Sequence, residues 1–225
     1  MKTAVATAKE MMHRYSHAWA FLYAPVYMLW FTWLEKNVTQ NYYVIHSTLD
    51  DYIPFLEIFI IPYLLWFVYI AATGLYFFFQ DREGFLELAQ MLIIGMTLFL
   101  IICTIFPNGL NLRPASFPRD NVFTDLVKMI YAADTATNVL PSLHVYNSLA
   151  CCIAITRCRK LRKHPLIQRG AVILTVLIIL STMFLKQHSV VDVTAASVMA
   201  YILYGFVYER EHRHALQPVR QHARG

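Results

Sequence analysis

The sequence predicts an all-α, polytopic membrane protein with six transmembrane helices and both termini cytoplasmic. Three observations lead there. Of 225 residues, 58% are hydrophobic and the mean hydropathy is +0.46, whereas soluble domains stay near about 45–50% apolar. Six apolar segments can be drawn between polar loops. The basic residues concentrate in alternate loops, which is how topology is encoded in membrane proteins.

The first segment, Ala18–Trp33, follows a polar stretch, Met1–Tyr15, and has no small-residue cleavage site behind it, so it is expected to stay as an anchor. The second, Phe55–Phe79, carries Tyr63, Trp66, Phe67, Tyr69 and Phe77 to Phe79, an aromatic surface for lipid and helix packing. The third is Leu88–Phe106; Gly74 in the second segment and Gly95 in the third are candidate points of close helix approach. Val139–Thr156, Gly170–Leu185 and Val190–Tyr208 complete the set. A helix needs about 20 residues to cross a hydrocarbon core of about 30 Å, so the shorter segments rely on flanking Tyr, Trp, Lys and Arg at the interface. Residues 1–225 read as one membrane domain.

With the N-terminus inside, the inner loops hold Lys2, Lys9, Arg14, Arg82, Arg157, Arg159, Lys160, Arg162, Lys163, Arg169, Arg210, Arg213, Arg220 and Arg224, fourteen of the nineteen Lys and Arg. Lys36, Arg113, Arg119, Lys128 and Lys186 face outside. The net charge of +5 therefore reads as topology at a lipid surface, and the basic loop 157–169 does not point to nucleic acid. Cys103, Cys151, Cys152 and Cys158 lack metal-ligand spacing and read as apolar fillers. His13, His17, His164 and the His212–His214–His222 tail show no ligand geometry.

Chemistry concentrates in the loops assigned to the outer face. His188 and Asp192 are four residues apart and share a helix face, so Asp192 can hold His188 in one tautomer while its other nitrogen attacks an electrophile. A second pair, His46 and Asp50, copies that spacing but has no basic neighbour closer than Lys36, and reads as a loop or capping feature. Arg113 follows the third segment, and Pro141-Ser142-Leu143-His144 opens the fourth. Ser142 can be an ordinary helix cap; His144, in the first turn of a membrane helix, is a residue that usually faces a cavity or a partner. Two histidines, one carboxylate and the cations Arg113 and Lys186 suit a tetrahedral phosphate ester, with Arg113 as a planar fork and Lys186 as a point charge. His188 can attack phosphorus and His144 can protonate the departing alkoxide; no metal or other cofactor is called for.

Arg113-Pro114, then Pro141-Ser142-Leu143-His144, then Ser181 through His188 to Asp192, in this order, resemble the three signature blocks of the type 2 phosphatidic acid phosphatase superfamily. The resemblance covers roughly the C-terminal half, with residues 107–208 carrying the blocks. It implies a six-helix membrane fold, a phosphohistidine intermediate on His188, Asp192 as its orienter, His144 as acid, and Arg113 and Ser142 contacting phosphate. Three positions depart from the pattern. Phe106 stands where the family usually has lysine, Leu143 where it has glycine, and Thr182 where an arginine follows the serine; Lys186 is a candidate replacement for one missing cation. These departures resemble the branch that includes inositol phosphorylceramide synthase.

The expected activity is hydrolysis of a lipid phosphate monoester or a polyprenyl pyrophosphate at the outer face of a plasma membrane, where a headgroup reaches the site while its tail stays in hydrocarbon. Two alternatives stand beside it. One is a lipid phosphotransferase that passes the group to an alcohol. The other is a non-catalytic transporter or binding subunit, against which both histidines and the aspartate are retained.

Overall fold

The computed structural model describes residues 15–215 and is mostly helical, 74%. Lys2, Lys9, Arg14, Arg220 and Arg224, and with them the expected placement of both termini, lie outside the described residues, as do His13, His222 and the side chains of Arg210, His212, Arg213 and His214.

A 3-10 turn, Ser16–Leu22, leads into α1 (Tyr23–Asn37). The short α2 (Thr48–Tyr52) lies in the loop that follows. A second 3-10 turn, Glu57–Phe59, opens α3 (Ile60–Gln80), and Asp81 alone joins α3 to α4 (Arg82–Ile105), capping α4 by accepting from the Gly84 amide. After α5 (Val122–Ala133) come α6 (Leu143–Arg157), α7 (Pro165–Phe184) and α8 (Val190–Ala215). Among the described residues four helical stretches are long and apolar enough to cross a membrane: Glu57–Gln80, Arg82–Ile105, Pro165–Phe184 and Val190–Tyr208. The first expected segment runs without a break from the 3-10 helix Ser16–Leu22 into the 15-residue α1, and the fourth forms the 15-residue α6, which rises only about 22 Å.

The two helices have different contexts. α1 docks along α4, whereas α6 is the centre of the bundle, packed against α3, α4, α7 and α8. An enclosed helix need not be uniformly apolar, provided its polar groups find partners. Ser148 Oγ accordingly donates to the His144 carbonyl at 2.6 Å, and Tyr146 Oη donates to the Met91 carbonyl at 2.7 Å. The Tyr146 ring lies against Gly95, where any Cβ would collide with it, so Gly95 is a point of close helix approach. Gly74 is not: a Cβ there would meet nothing within 4 Å. Outward faces remain apolar, with Leu29, Val68, Ile173 and Tyr201 each more than half exposed, as a lipid-facing surface requires.

Opposite the basic loop that follows α6, the connecting segments knit into a cap. Two-residue strands β1 (Tyr43–Val44) and β2 (Asn108–Gly109) pair in parallel, a feature too short to leave a periodic signal in sequence. Gly109 is required there, since a Cβ would press on the Tyr42 ring and the Ala136 carbonyl. The fully buried Asn108 accepts from the amides of Val139 and Leu140, both at 2.9 Å, which delivers the Pro141-Ser142-Leu143-His144 block to the start of α6. Arg119 forks onto Glu57 at 2.6 and 2.9 Å and ties the same loop to the entrance of α3.

Candidate active site

The second block reaches the site through a cap. Ser142 is fully buried as the N-cap of α6: its Oγ accepts from Val145 N at 3.4 Å and its amide donates to the Asp192 carbonyl at 3.2 Å. Its backbone therefore joins the second block to the third. Two residues on, the His144 ring sits between Tyr63 and Trp66, with ring centroids at 4.8 and 4.5 Å, and 5.6 Å from the His188 ring.

The third block is a tight turn between α7 and α8. Lys186 takes a left-handed φ of 53°, and the amides of Gln187 and His188 both donate to the Thr182 carbonyl, at 2.9 and 3.1 Å. His188 and Asp192 are both buried, with Nδ1 3.3 Å from Oδ2. That oxygen also accepts from Ser189 N at 2.9 Å, at the amino end of α8 where the helix dipole favours a carboxylate. With its proton on Nδ1, His188 leaves the Nε2 lone pair as the nucleophilic end.

Lys186 faces elsewhere. Its Nζ donates to the carbonyls of Asp50 and Ile53 at 2.8 and 2.5 Å, and it does not line the cavity beside the two histidines. Burial pulls its ammonium below the usual lysine range, opposed by Asp50 and Asp51. Ser181 and Thr182 hydroxyls donate back into α7, to Ile178 and Ile179 carbonyls at 2.7 Å each. Phe106 stacks on Tyr43 with ring centroids 4.6 Å apart.

Arg113 is held rigidly by neutral acceptors. Nη1 donates to the Tyr131 carbonyl at 3.0 Å; Nη2 donates to the Asp134 and Thr135 carbonyls at 3.0 and 3.1 Å and to Gln187 Oε1 at 2.7 Å. The Tyr131 ring lies 4.4 Å from its guanidinium carbon. Arg113 thus reaches the third block through Gln187 and stands just behind the cavity wall.

The cavity, about 340 Å³, has two characters. Tyr27, Phe31, Phe67, Phe99, Ile130 and Leu143 are among its apolar lining; Asp134, Asn138, Gln187, His144 and His188 are among its polar lining. Burial raises the Asp134 carboxyl above the ordinary carboxylate range, against the pull of His188 and Arg113. Leu143, where the sequence pattern has glycine, lines the cavity and packs on the Leu34, Val38 and Phe99 cluster.

Two contributors were not assigned to the site from sequence. Gln187 is one, and its only signal was a polar residue next to His188. Asp50 is the other. It is buried, closes the capping box of α2 by accepting from Ser47 N at 2.8 Å, and then reaches across the cap to α8, accepting from Ser189 Oγ at 2.6 Å and Val190 N at 2.8 Å.

The family model described as the PAP2 superfamily matches residues 88–214, more than half of the chain. The chain belongs to that superfamily, whose members are in general phosphoesterases, and membership points to phosphatase or phosphotransferase chemistry in a membrane protein. No curated protein and no solved structure matches it.

Proposed function

From membership of the PAP2 superfamily, we propose that the chain is a membrane lipid phosphatase that hydrolyses a phosphate monoester or pyrophosphate through a phosphohistidine on His188. The observation that carries this reading is the meeting, around one cavity, of His144 and the buried His188–Asp192 pair, with Arg113 joined to them by Gln187.

His188 Nε2 attacks phosphorus while Asp192 holds the Nδ1 proton and offsets the charge growing on the ring. The bond from phosphorus to the leaving oxygen breaks, the lipid alkoxide oxygen of a monoester or the bridging oxygen between the terminal phosphorus and the lipid monophosphate of a pyrophosphate, and His144 gives its proton to that oxygen. Water then attacks the phosphohistidine, His144 takes its proton, and the P–N bond breaks to release phosphate from a monoester or a pyrophosphate. Arg113 supplies the positive field. Ser142 and Lys186 are assigned to the scaffold, since the first caps α6 and the second is held by loop carbonyls.

The same proposal includes a single six-span domain over 1–225, with 107–208 carrying the motifs, both ends cytoplasmic, and the site at the outer face of a plasma membrane. Support comes from the charge distribution. Arg82, Arg157, Arg159, Lys160, Arg162, Lys163 and Arg169 flank the α3–α4 turn and the α6–α7 loop, which Lys160 joins by donating to the Gln80 carbonyl; Arg113, Arg119, Lys128 and Lys186 lie in the cap. The mixed apolar and polar lining of the cavity suits a headgroup with an attached chain.

The test is phosphate release from a panel of lipid monophosphates and polyprenyl pyrophosphates in detergent, with trapping of acid-labile phosphoprotein. Wild type should show both and His188→Ala neither; folded wild-type protein that does neither sinks the proposal. The second reading is transfer to an alcohol, which shares the phosphohistidine step and differs only in the acceptor. A new lipid product on adding candidate alcohols would select that reading.

A further inference from the structure

The cavity presents a phosphate group with few cations. Lys186 is committed to the Asp50 and Ile53 carbonyls, and the Nη donors of Arg113 are committed to three backbone carbonyls and Gln187. Phe106 and Thr182, at the positions where the resembling family carries cations, bring none. Something else on the wall has to meet the phosphoryl oxygens.

Gln187 has the properties required. Its backbone and that of His188 hang from one carbonyl, Thr182, so the two side chains leave a single fixed turn. Its amide orientation is decided by chemistry: a guanidinium only donates, so Oε1 must face Arg113, as it does at 2.7 Å. That leaves Nε2 as the free end. The residue is only 4% exposed and lines the cavity with His144, His188 and Tyr63; the Tyr63 hydroxyl lies near enough to interact with its side chain, but Nε2 meets no acceptor in full hydrogen-bond geometry among the described residues. A buried donor with no well-aligned acceptor, beside the proposed nucleophile, is a place for a better one. The Arg113 bond at the other end of the amide polarises it and makes Nε2–H a stronger donor than a free glutamine.

We infer that Gln187 Nε2 is a phosphate-binding group of the site, and that Arg113 is a positioning residue that acts on the phosphoryl oxygens through it. This rests on the reading of His188 as the nucleophile of a phosphoryl transfer. The amide carries the charge of Arg113 to the phosphate without a cation entering the cavity.

Gln187→Glu is the first of two variants. It keeps an oxygen for Arg113, adding an ion pair, but replaces the donor with an acceptor. A carboxylate also repels an anion, so loss in this variant counts for the inference only together with loss in the uncharged Gln187→Met, whereas retained function in Gln187→Glu counts against it. The full chain in detergent is titrated with orthovanadate as the probe, by direct binding and as inhibitor of lipid phosphate hydrolysis, with thermal unfolding alongside. We expect Gln187→Glu to weaken vanadate binding and kcat/KM by about ten- to a hundredfold or more, with thermal stability held or raised. Gln187→Met, of similar size without a donor, should fall in the same direction, and Arg113→Met combined with it should lose less than the two single losses multiplied. Vanadate affinity and kcat/KM within about twofold of wild type in Gln187→Glu, or in Gln187→Met, would overturn the inference. Wild type that binds vanadate but neither turns over lipid phosphate nor forms phosphoprotein overturns the phosphatase reading instead, and the same titration still decides Gln187. Wild type that binds no vanadate overturns both.

Discussion

His46–Asp50 and His188–Asp192 share one spacing, and the protein treats them in opposite ways. In the first pair the partners separate: His46 turns to the exposed Asp51 at 2.9 Å, while Asp50 goes inward. In the second they stay together and buried. The difference lies in what surrounds each aspartate. Asp192 opens α8, where Ser189 N and the helix dipole hold its carboxylate facing His188. Asp50 closes the one-turn helix α2, and its free capacity is drawn to the unfilled donors at the start of α8. A four-residue spacing permits an orienting pair; the local donors decide whether it forms. The pair that failed to form still serves the other, since Asp50 braces the segment carrying His188 and Asp192.

That contrast can be broken in graded steps. Asp192→Ala leaves His188 with no orienter, and kcat for lipid phosphate hydrolysis should drop by about a thousandfold or more with smaller change in KM. Asp50→Ala orphans Ser189 Oγ and Val190 N, so a loss of about 1–3 kcal/mol in unfolding free energy is expected. Turnover should fall about tenfold as the His188 turn loosens, and Asp50→Asn, which keeps one acceptor, should recover part of both. Equal activity in Asp50→Ala and wild type would detach Asp50 from the site.

Asp134 sharpens the comparison from the cavity side. Burial raises its folded pKa above the ordinary 3.8, so ionising it costs stability: its favourable contribution is complete below 3.8 and is lost as pH rises through the raised value. Asp134→Asn should therefore exceed wild type in thermal stability at neutral pH, and the advantage should vanish as pH falls through that window toward 3.8. A pH-independent difference would contradict the assignment. The smallest effect is expected for His46→Ala, whose partner Asp51 is exposed: stability within about 0.5 kcal/mol and unchanged kcat/KM.

Leu143, Gly95 and Lys186 show how far one-dimensional reading carries. Gly95 sits inside a long apolar helix, where only a close approach repays the missing side chain, so its role was legible; Gly74 carried the same signal and meets no neighbour. Lys186 was legible as a cation near His188, but charge and proximity do not specify direction. Its left-handed backbone and the waiting carbonyls of Asp50 and Ile53 point it away from the cavity. Ser142 was legible both as cap and as ligand, and its hydrogen bonds show the cap.

By itself the sequence determined the apolar helical segments, the basic and polar loops between them, and the order of the three blocks. These follow from composition, periodicity and local spacing, and each is encoded within a few turns of chain. Tertiary structure alone decided that α6 lies at the centre, that Asp50 reaches α8 from 140 residues away, and that Arg113 reaches the cavity through Gln187. Those choices depend on which buried donors and acceptors meet across the cap, and a contact of that kind leaves no local periodicity to read.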